Sequence, residues 1–178
     1  MAKEKDKRTC MDAALAKLNY RMRTEKELRD SLRELKYDDE EIGETVEELR
    51  SYGYLDDARY VREFYRVSRR KSWSRNRIIR SLREKGVPNE LIMNEIQEFE
   101  ESPEFSDMGL SSDERGEALK VGKDMLRVQL GYGKAVDDRF INRVGRRLSS
   151  LGYDSGTCYY VMNILRNTAG SEDLEEDI

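Results

Sequence analysis

The side chains that could perform chemistry in this sequence are carboxylates, thiols and guanidinium groups, because the chain contains 0 His. The commonest general base and metal ligand is therefore missing. Two pairs of adjacent acids, Asp56-Asp57 and Asp137-Asp138, are candidates for magnesium chemistry. Each pair lies where a helix is expected to begin, which favours a capping role instead. Since no phosphate-binding loop, dinucleotide fingerprint or nucleophile elbow is present, we expect no enzymatic activity, no metal and no cofactor.

The two cysteines, Cys10 and Cys158, show neither metal-binding nor redox spacing. Both fall at apolar helical positions, where cysteine behaves as a small hydrophobic residue. No apolar run approaches the roughly 20 residues of a membrane span, and no apolar signal core follows Met1. These features predict reduced thiols and a cytoplasmic protein without a membrane partner.

The composition indicates helices and a large polar surface. Charged residues make up 39% of the chain, against roughly a quarter in an average globular protein. Only 2 prolines are present, which favours helices. The sequence therefore predicts an all-α, elongated helical array.

The junction at residues 49–60 sets the pattern for the whole chain. Gly53 can adopt the left-handed conformation required just past a helix C-terminus, so we expect it to have a positive φ. Asp56 or Asp57 can then accept hydrogen bonds from the first N–H groups of a following helix. One helix ends and the next begins within about four residues, as in a helix-turn-helix.

The same pattern of caps and buried positions recurs along the chain. Thr24 with Glu27 forms a capping box, and Ser74 lies at the corresponding position 50 residues later. Leu32 corresponds in the same way to Leu82, and a further 66 residues leads to Leu148. This self-similarity predicts a tandem array of three three-helix repeats. The predicted boundaries are a disordered N-terminus at 1–8, repeats at 9–55, 56–101 and 113–168, an acidic flexible linker at 102–112 and an acidic disordered tail at 169–178.

Positive charge is concentrated in one segment. Residues 59–85 contain 11 Lys or Arg against 2 acids, whereas residues 86–117 contain 1 against 10. With Tyr60, Val61, Phe64 and Val67 facing inward, the helical periodicity predicts an exposed arginine stripe consisting of Arg59, Arg62, Arg66, Arg69, Arg70, Arg77 and Arg80. The same periodicity predicts that Val128 faces inward in a later helix.

This arginine stripe has two interpretations. It is either a solvated face balanced by neighbouring acids, or a surface that follows phosphates or binds an acidic protein. Tyr65 and Trp73 could stack on bases, although Trp73 is better explained as packing at the turn between helices. In the binding interpretation, reversal of Arg66 and Arg69 to Glu leaves the fold intact and weakens partner binding.

Three segments of the sequence resemble the signatures of RecX regulatory proteins. They are Arg23-Thr24-Glu25-Lys26-Glu27-Leu28, Gly53-Tyr54-Leu55-Asp56-Asp57-Ala58-Arg59-Tyr60 and the run from Arg77 to Val87. The resemblance is clear over residues 10–100 and weaker over 115–168, where Arg146-Arg147-Leu148 and Leu151-Gly152-Tyr153 carry it. The acidic linker at 102–112 departs from the family pattern.

The resemblance implies a bacterial cytosolic protein of tandem three-helix repeats, acting as a monomer. Such proteins bind the groove of the RecA filament on DNA and inhibit its ATPase, strand-exchange and coprotease activities. They thereby modulate homologous recombination and the SOS response. Two alternatives stay open: a direct DNA- or RNA-binding helical-repeat protein that uses the arginine stripe, and, less favoured, a carboxylate–metal enzyme.

Overall fold

The computed structural model describes residues 9–170, and every regular element in this range is an α-helix, as the sequence predicts. The helices are α1 Cys10–Tyr20, α2 Glu25–Glu34, α3 Asp39–Ser51, α4 Asp57–Arg70, α5 Arg75–Glu84, α6 Asn89–Glu100, α7 Pro103–Asp107, α8 Glu114–Gly131, α9 Asp138–Leu151 and α10 Ser155–Gly170. Within the described range, none of them is long and apolar enough to cross a membrane. The predicted disordered segment 1–8, and all but the first two residues of the predicted tail, lie outside the described residues.

The helices form two compact units. Unit 1 comprises the described residues of Met1–Tyr65 together with Ile79–Glu98, and unit 2 comprises Arg66–Ile78 with the described residues of Phe99–Ile178. The division passes through α4 and α5 rather than between helices. We retain the three-repeat organisation as a proposal, because Leu32, Leu82 and Leu148 are all fully buried, as their assigned equivalence requires.

The core of unit 1 is centred on α1, α2 and α3. Their apolar side chains recur at helical spacing, so each helix buries one face against the other two. The buried cluster contains Cys10, Ala13, Ala14, Leu28, Leu32, Tyr37, Ile42, Val46, Leu49 and Leu55. Cys10 is buried, in keeping with its prediction as a small core residue.

The helix boundaries in unit 1 follow the predicted capping signals. Thr24 and Glu27 form the capping box of α2, and Asp38 caps α3 in the same way with Glu41. Gly53 has φ +72°, which confirms its left-handed conformation after α3. The Asp56 carboxylate then accepts a hydrogen bond from the Arg59 N–H at 2.9 Å and caps α4.

The core of unit 2 is centred on α8, α9 and α10. Its buried cluster contains Ala118, Leu126, Phe140, Ile141, Val144, Leu148, Leu151, Tyr153, Cys158, Val161 and Leu165. α8 and α10 approach closely at Gly122, where an added Cβ would lie 2.7 Å from Val161 Cγ1. Asp137 caps α9 through a 2.8 Å hydrogen bond from the Phe140 N–H, as predicted.

One pair of interactions occurs in both units at positions 50 residues apart. In unit 1, the Thr24 hydroxyl donates to the Lys85 carbonyl at 2.7 Å, and the Glu25 N–H donates to the Asp57 carboxylate at 2.9 Å. In unit 2, the Ser74 hydroxyl donates to the Gly152 carbonyl at 2.6 Å, and the Arg75 N–H donates to the Glu114 carboxylate at 2.8 Å. The N-termini of α2 and α5 are thus each held by residues far along the chain.

Three features differ from the sequence prediction. The segment predicted as a flexible linker contains the short helix α7, which begins after Ser102 with Pro103 in its first turn and buries Phe105 against Phe99. Val67 and Val128 were both predicted to face inward and are exposed. Helical periodicity places residues on a face but does not establish whether a neighbouring element covers all of that face.

Candidate partner-binding surface

The predicted arginine stripe lies on α4 and α5. α4 is amphipathic, and the arginines of its last turn, Arg69 and Arg70, suit the negative end of the helix dipole. α5 begins after Ser74, whose hydroxyl accepts a 3.2 Å hydrogen bond from the Arg77 N–H.

The structure assigns the seven arginines of the stripe to different units. Arg59, Arg62 and Arg80 belong to unit 1, and the remaining four belong to unit 2. A single surface that contains all seven therefore remains a prediction.

Three arginines match the predicted exposure without reservation: Arg59, Arg70 and Arg80. Among residues 9–170, no carboxylate lies within ion-pair distance of any of them. Their charges are therefore not neutralised by the described part of the chain. An external anion would be attracted to each of these three guanidinium groups.

Two further arginines form partly exposed ion pairs. In unit 1, the Arg62 guanidinium lies 2.6 Å from the Glu95 carboxylate, which is largely buried. In unit 2, Arg66 lies 3.6 Å from Glu104, which is exposed. The Arg66–Glu104 pair is the more exposed of the two, and such pairs contribute about 0–1 kcal/mol, so an external ligand can displace it at little cost. Displacing Arg62 would instead leave the largely buried Glu95 carboxylate without its ion pair, which costs more.

Arg69 does not lie on the exposed surface, and this part of the prediction is wrong. Its exposed fraction is 3%. The guanidinium donates to the Glu114 carboxylate at 3.0 Å, to the Ser111 carbonyl at 2.6 Å and to the Trp73 carbonyl at 3.3 Å. These partners account for its burial, because a charged group leaves water only when it is paired and hydrogen-bonded.

The residues considered for base stacking are both used internally. Tyr65 is fully buried, so the prediction that it could stack on a base is wrong. Trp73 packs against the core of unit 2, as its preferred interpretation predicted. The Arg77 guanidinium lies 3.8 Å from the centre of the Trp73 ring and also donates to the Ser150 carbonyl. Arg77 is thus partly exposed but held in place.

The acids near the junction serve structural roles. Asp57 reaches the first turn of α2 rather than its own helix, and burial raises its pKa although the Glu25 N–H opposes this effect. Burial would likewise raise the pKa of Glu27, but hydrogen bonds and charges from Arg21 and Lys85 lower it to about 2. Within residues 9–170, no cluster of three or more His, Cys, Asp or Glu side chains is arranged to hold a metal.

Sequence reasoning missed an exposed aromatic group near Arg59. A small cleft in unit 1 is lined by Leu18, Met22, Tyr54 and Arg59, among others. Tyr54 and Met22 are exposed, as are Tyr20 and Tyr52 at the ends of α1 and α3. Tyrosine and arginine together are typical of energetically important contacts at protein interfaces. The sequence did contain a signal for this exposure. Tyr52 and Tyr54 lie on either side of Gly53, just after the end of α3, where a side chain no longer packs on a helix face.

Two family models match this chain. The first three-helix domain of RecX matches residues 10–49, and the second three-helix domain of RecX matches residues 56–94. A curated regulatory protein RecX from Clostridium perfringens (strain 13 / Type A) is 28% identical over 169 residues, which cover 94% of this chain and 73% of the relative. Another, from Clostridium botulinum (strain Eklund 17B / Type B), is 29% identical over 146 residues, which cover 81% of this chain and 62% of that relative.

Solved structures show the same fold. The crystal structure of RecX from Lactobacillus salivarius superimposes with a TM-score of 0.62 at 18% identity, covering 89% of this chain and 95% of that chain. A second crystal structure, of a regulatory protein RecX, gives a TM-score of 0.59 at 22% identity, with coverage of 86% and 70%. At these identities the likeness concerns the helical architecture.

Proposed function

The chain belongs to the RecX family of regulatory proteins, and from that premise we propose that it is a non-enzymatic regulator of the RecA recombinase. In this proposal it binds RecA and its nucleoprotein filament on DNA. Binding inhibits the recombinase, ATPase and coprotease activities of RecA. The protein thus modulates DNA repair by homologous recombination and the SOS response, in the cytoplasm and as a monomer.

The observation that carries this proposal is the set of exposed arginines without an internal partner. Arg59, Arg70 and Arg80 lie at the surface, and no carboxylate of residues 9–170 neutralises them. A filament of protein and DNA supplies both carboxylates and phosphates. Guanidinium groups bind either anion through paired hydrogen bonds, so they suit a mixed surface better than ammonium groups do.

Three further arginines with partly exposed side chains are additional candidates for contacts: Arg62 in unit 1, and Arg66 and Arg77 in unit 2. Arg62 and Arg66 each form an ion pair with an acid of their own unit, and Arg77 is held in position by Trp73. The Arg66–Glu104 pair, whose acid is exposed, can be exchanged for an external acid at little cost. Arg69 is excluded from the proposed contacts because it is enclosed by its own unit.

A binding titration tests this proposal against direct nucleic-acid binding. Fluorescence anisotropy of the labelled protein is measured with RecA–DNA filaments and with bare DNA of the same length and salt concentration. We expect saturable binding to the filament at concentrations where bare DNA gives little signal. Equal affinity for both would instead favour the direct DNA- or RNA-binding alternative. In that case the logarithm of the binding constant falls with the logarithm of the salt concentration, and the slope steepens by about one unit for each phosphate contact.

A further inference from the structure

A surface groove in unit 2 lies at the end of α8 and is separate from the arginines of α4 and α5. The α8–α9 groove has a volume of about 450 Å³ and is lined by Asp124, Met125, Val128, Gln129, Tyr132, Lys134 and Arg143. Val128 and Tyr132 are 59% and 74% exposed. Adjacent exposed apolar side chains with a polar rim indicate an interaction site.

The charged side chains of this groove are mainly basic. The Arg143 guanidinium donates to the amide oxygen of Gln129 at 2.7 Å. This neutral partner orients the cation and leaves its charge available. Lys134 Nζ lies 5.5 Å from the centre of the Tyr132 ring. The one acid of the lining, Asp124, lies 3.8 Å from Arg127. The groove therefore suits a ligand that combines apolar side chains with several carboxylates.

The segment that follows α10 has this composition. Residues 171–178 read Ser-Glu-Asp-Leu-Glu-Glu-Asp-Ile, with five acids and two apolar residues, Leu174 and Ile178. The basic groove and this acidic segment are complementary in charge, and the segment directly follows α10 of unit 2 in the sequence.

The end of α10 also lies within reach of the groove. Arg166, in the last turns of α10, contacts the Asp138 carboxylate at 3.2 Å at the start of α9. Arg143 is five residues further along α9, an advance of about 7.5 Å. Four extended residues, 171–174, span up to about 13 Å and all eight span up to about 26 Å, so the length of the segment is compatible with placing Leu174 and the carboxylates beside it in the groove.

We propose that the acidic segment 171–178 binds in the α8–α9 groove of its own molecule. Leu174 contacts the exposed side chains of Val128 and Tyr132, while neighbouring carboxylates pair with Lys134 and Arg143. The covalent connection keeps the effective concentration of the segment high, so individually weak contacts are sufficient. Occupation of the groove covers apolar surface that is otherwise exposed to water.

Nuclear magnetic resonance of the full-length chain tests this proposal. One variant neutralises the segment through Glu172→Gln, Asp173→Asn, Glu175→Gln, Glu176→Gln and Asp177→Asn. A second reverses the groove through Lys134→Glu and Arg143→Glu. A matched control, Lys123→Glu with Arg146→Glu, makes the same charge change at exposed residues outside the groove lining.

We expect neutralisation of the segment to shift the amide resonances of residues 125–134 and 143. The groove variant should shift those of residues 172–177, and the control should leave the resonances of residues 172–177 in place. The resonance differences between the wild type and the segment-neutralised variant should be independent of protein concentration, and they should diminish at high salt. If the groove variant fails to fold, neutralisation of the segment alone still decides the question.

Three results would overturn the proposal. The first is an unchanged groove spectrum after neutralisation of the segment, with shifts confined to the last turn of α10. The second is an equal effect of the control variant, which would indicate a general charge effect. The third is a strong dependence on protein concentration, which would place the segment in the groove of a second copy.

Discussion

The buried guanidinium of Arg69 lies 3.0 Å from the carboxylate of Glu114. The same carboxylate oxygen accepts a 2.8 Å hydrogen bond from the backbone N–H of Arg75. Glu114 thus joins the end of α4, the start of α5 and the start of α8 within unit 2. Arg69 lies within the most basic part of the sequence, yet its charge is used to hold the unit together.

Reversal of Arg69 is therefore expected to damage the fold. Arg69→Glu would place two carboxylates together in a buried position and remove hydrogen bonds to the carbonyls of Ser111 and Trp73. Breaking a buried pair typically costs about 3–5 kcal/mol, measured here by urea denaturation. Arg70→Glu is the matched control, because Arg70 is exposed, and it should cost no more than about 1 kcal/mol, through the α4 dipole. Equal, small effects of both changes would contradict the role assigned to Glu114.

The burial of Arg69 could not be predicted from the sequence. Its helical position follows from the spacing of Tyr60, Val61 and Phe64, which correctly predicted the exposure of Arg59 and Arg70. The partner of Arg69 lies 45 residues further along the chain. The segment that carries the Ser111 carbonyl was predicted to be a flexible linker. A helical periodicity contains no information on which distant element covers the helix.

The left-handed turn after α3 should depend on glycine. Gly53 has φ +72° and nothing within 4 Å of an added Cβ, so a side chain there meets conformational strain without steric overlap. Gly53→Val should destabilise by roughly 1–2 kcal/mol, measured by thermal or urea denaturation. Gly43 offers a matched control in α3, also with open space around it. Gly43→Ala should stabilise the protein by about 0.5–1 kcal/mol through helix propensity. An equal loss of stability for the Gly43 and Gly53 variants would show that the left-handed conformation of Gly53 is not the cause of its effect.

The three equivalent leucines should be energetically similar. Leu32, Leu82 and Leu148 are each fully buried. Truncation of any one to Ala should lower the free energy of unfolding by about 2–5 kcal/mol, through lost apolar contact and a residual cavity. Chemical denaturation of the three single variants provides the comparison. A cost below about 1 kcal/mol at one position would remove that position from the proposed repeat.

Acid should destabilise the protein partly through Glu27. Its pKa is about 2 in the folded chain, against an ordinary value of 4.5, because Arg21 and Lys85 favour the carboxylate more than burial opposes it. The folded state then holds a proton less strongly than the unfolded state. This contribution is present above pH 4.5 and is lost as the pH falls toward 2.

The expected loss over this interval is about 1–2 kcal/mol, after allowance for partial exposure of the group. It can be measured as the difference in pH dependence between wild type and Glu27→Gln. Parallel stability curves for the two proteins between pH 2 and pH 5 would show that Glu27 makes no such contribution.

Much of the local structure was predictable because its signals are short-range. Thr24 with Glu27, Gly53 and Asp137 each act on backbone groups within a few residues, and all have the predicted conformations or caps. Asp57 is different. The sequence predicted that Asp56 or Asp57 caps α4, and Asp56 does so, whereas Asp57 accepts a hydrogen bond from the Glu25 N–H, 32 residues earlier. Such long-range caps require knowledge of which helices are neighbours.

The central claim is that exposed arginines without internal partners bind the RecA filament and inhibit RecA. It is tested most directly by measuring DNA-dependent ATP hydrolysis by RecA with increasing amounts of the triple variant Arg59→Glu, Arg70→Glu and Arg80→Glu. Lys123→Glu with Arg146→Glu and Arg147→Glu provides a control of equal charge at other exposed positions, and circular dichroism checks that both variants fold. We predict that the wild-type and control proteins inhibit hydrolysis at similar concentrations, whereas the arginine variant requires at least about tenfold more, as expected when contacts worth 1.4 kcal/mol or more are lost. Full inhibition by the folded arginine variant at the wild-type concentration would contradict the claim and identify these arginines as a solvated face.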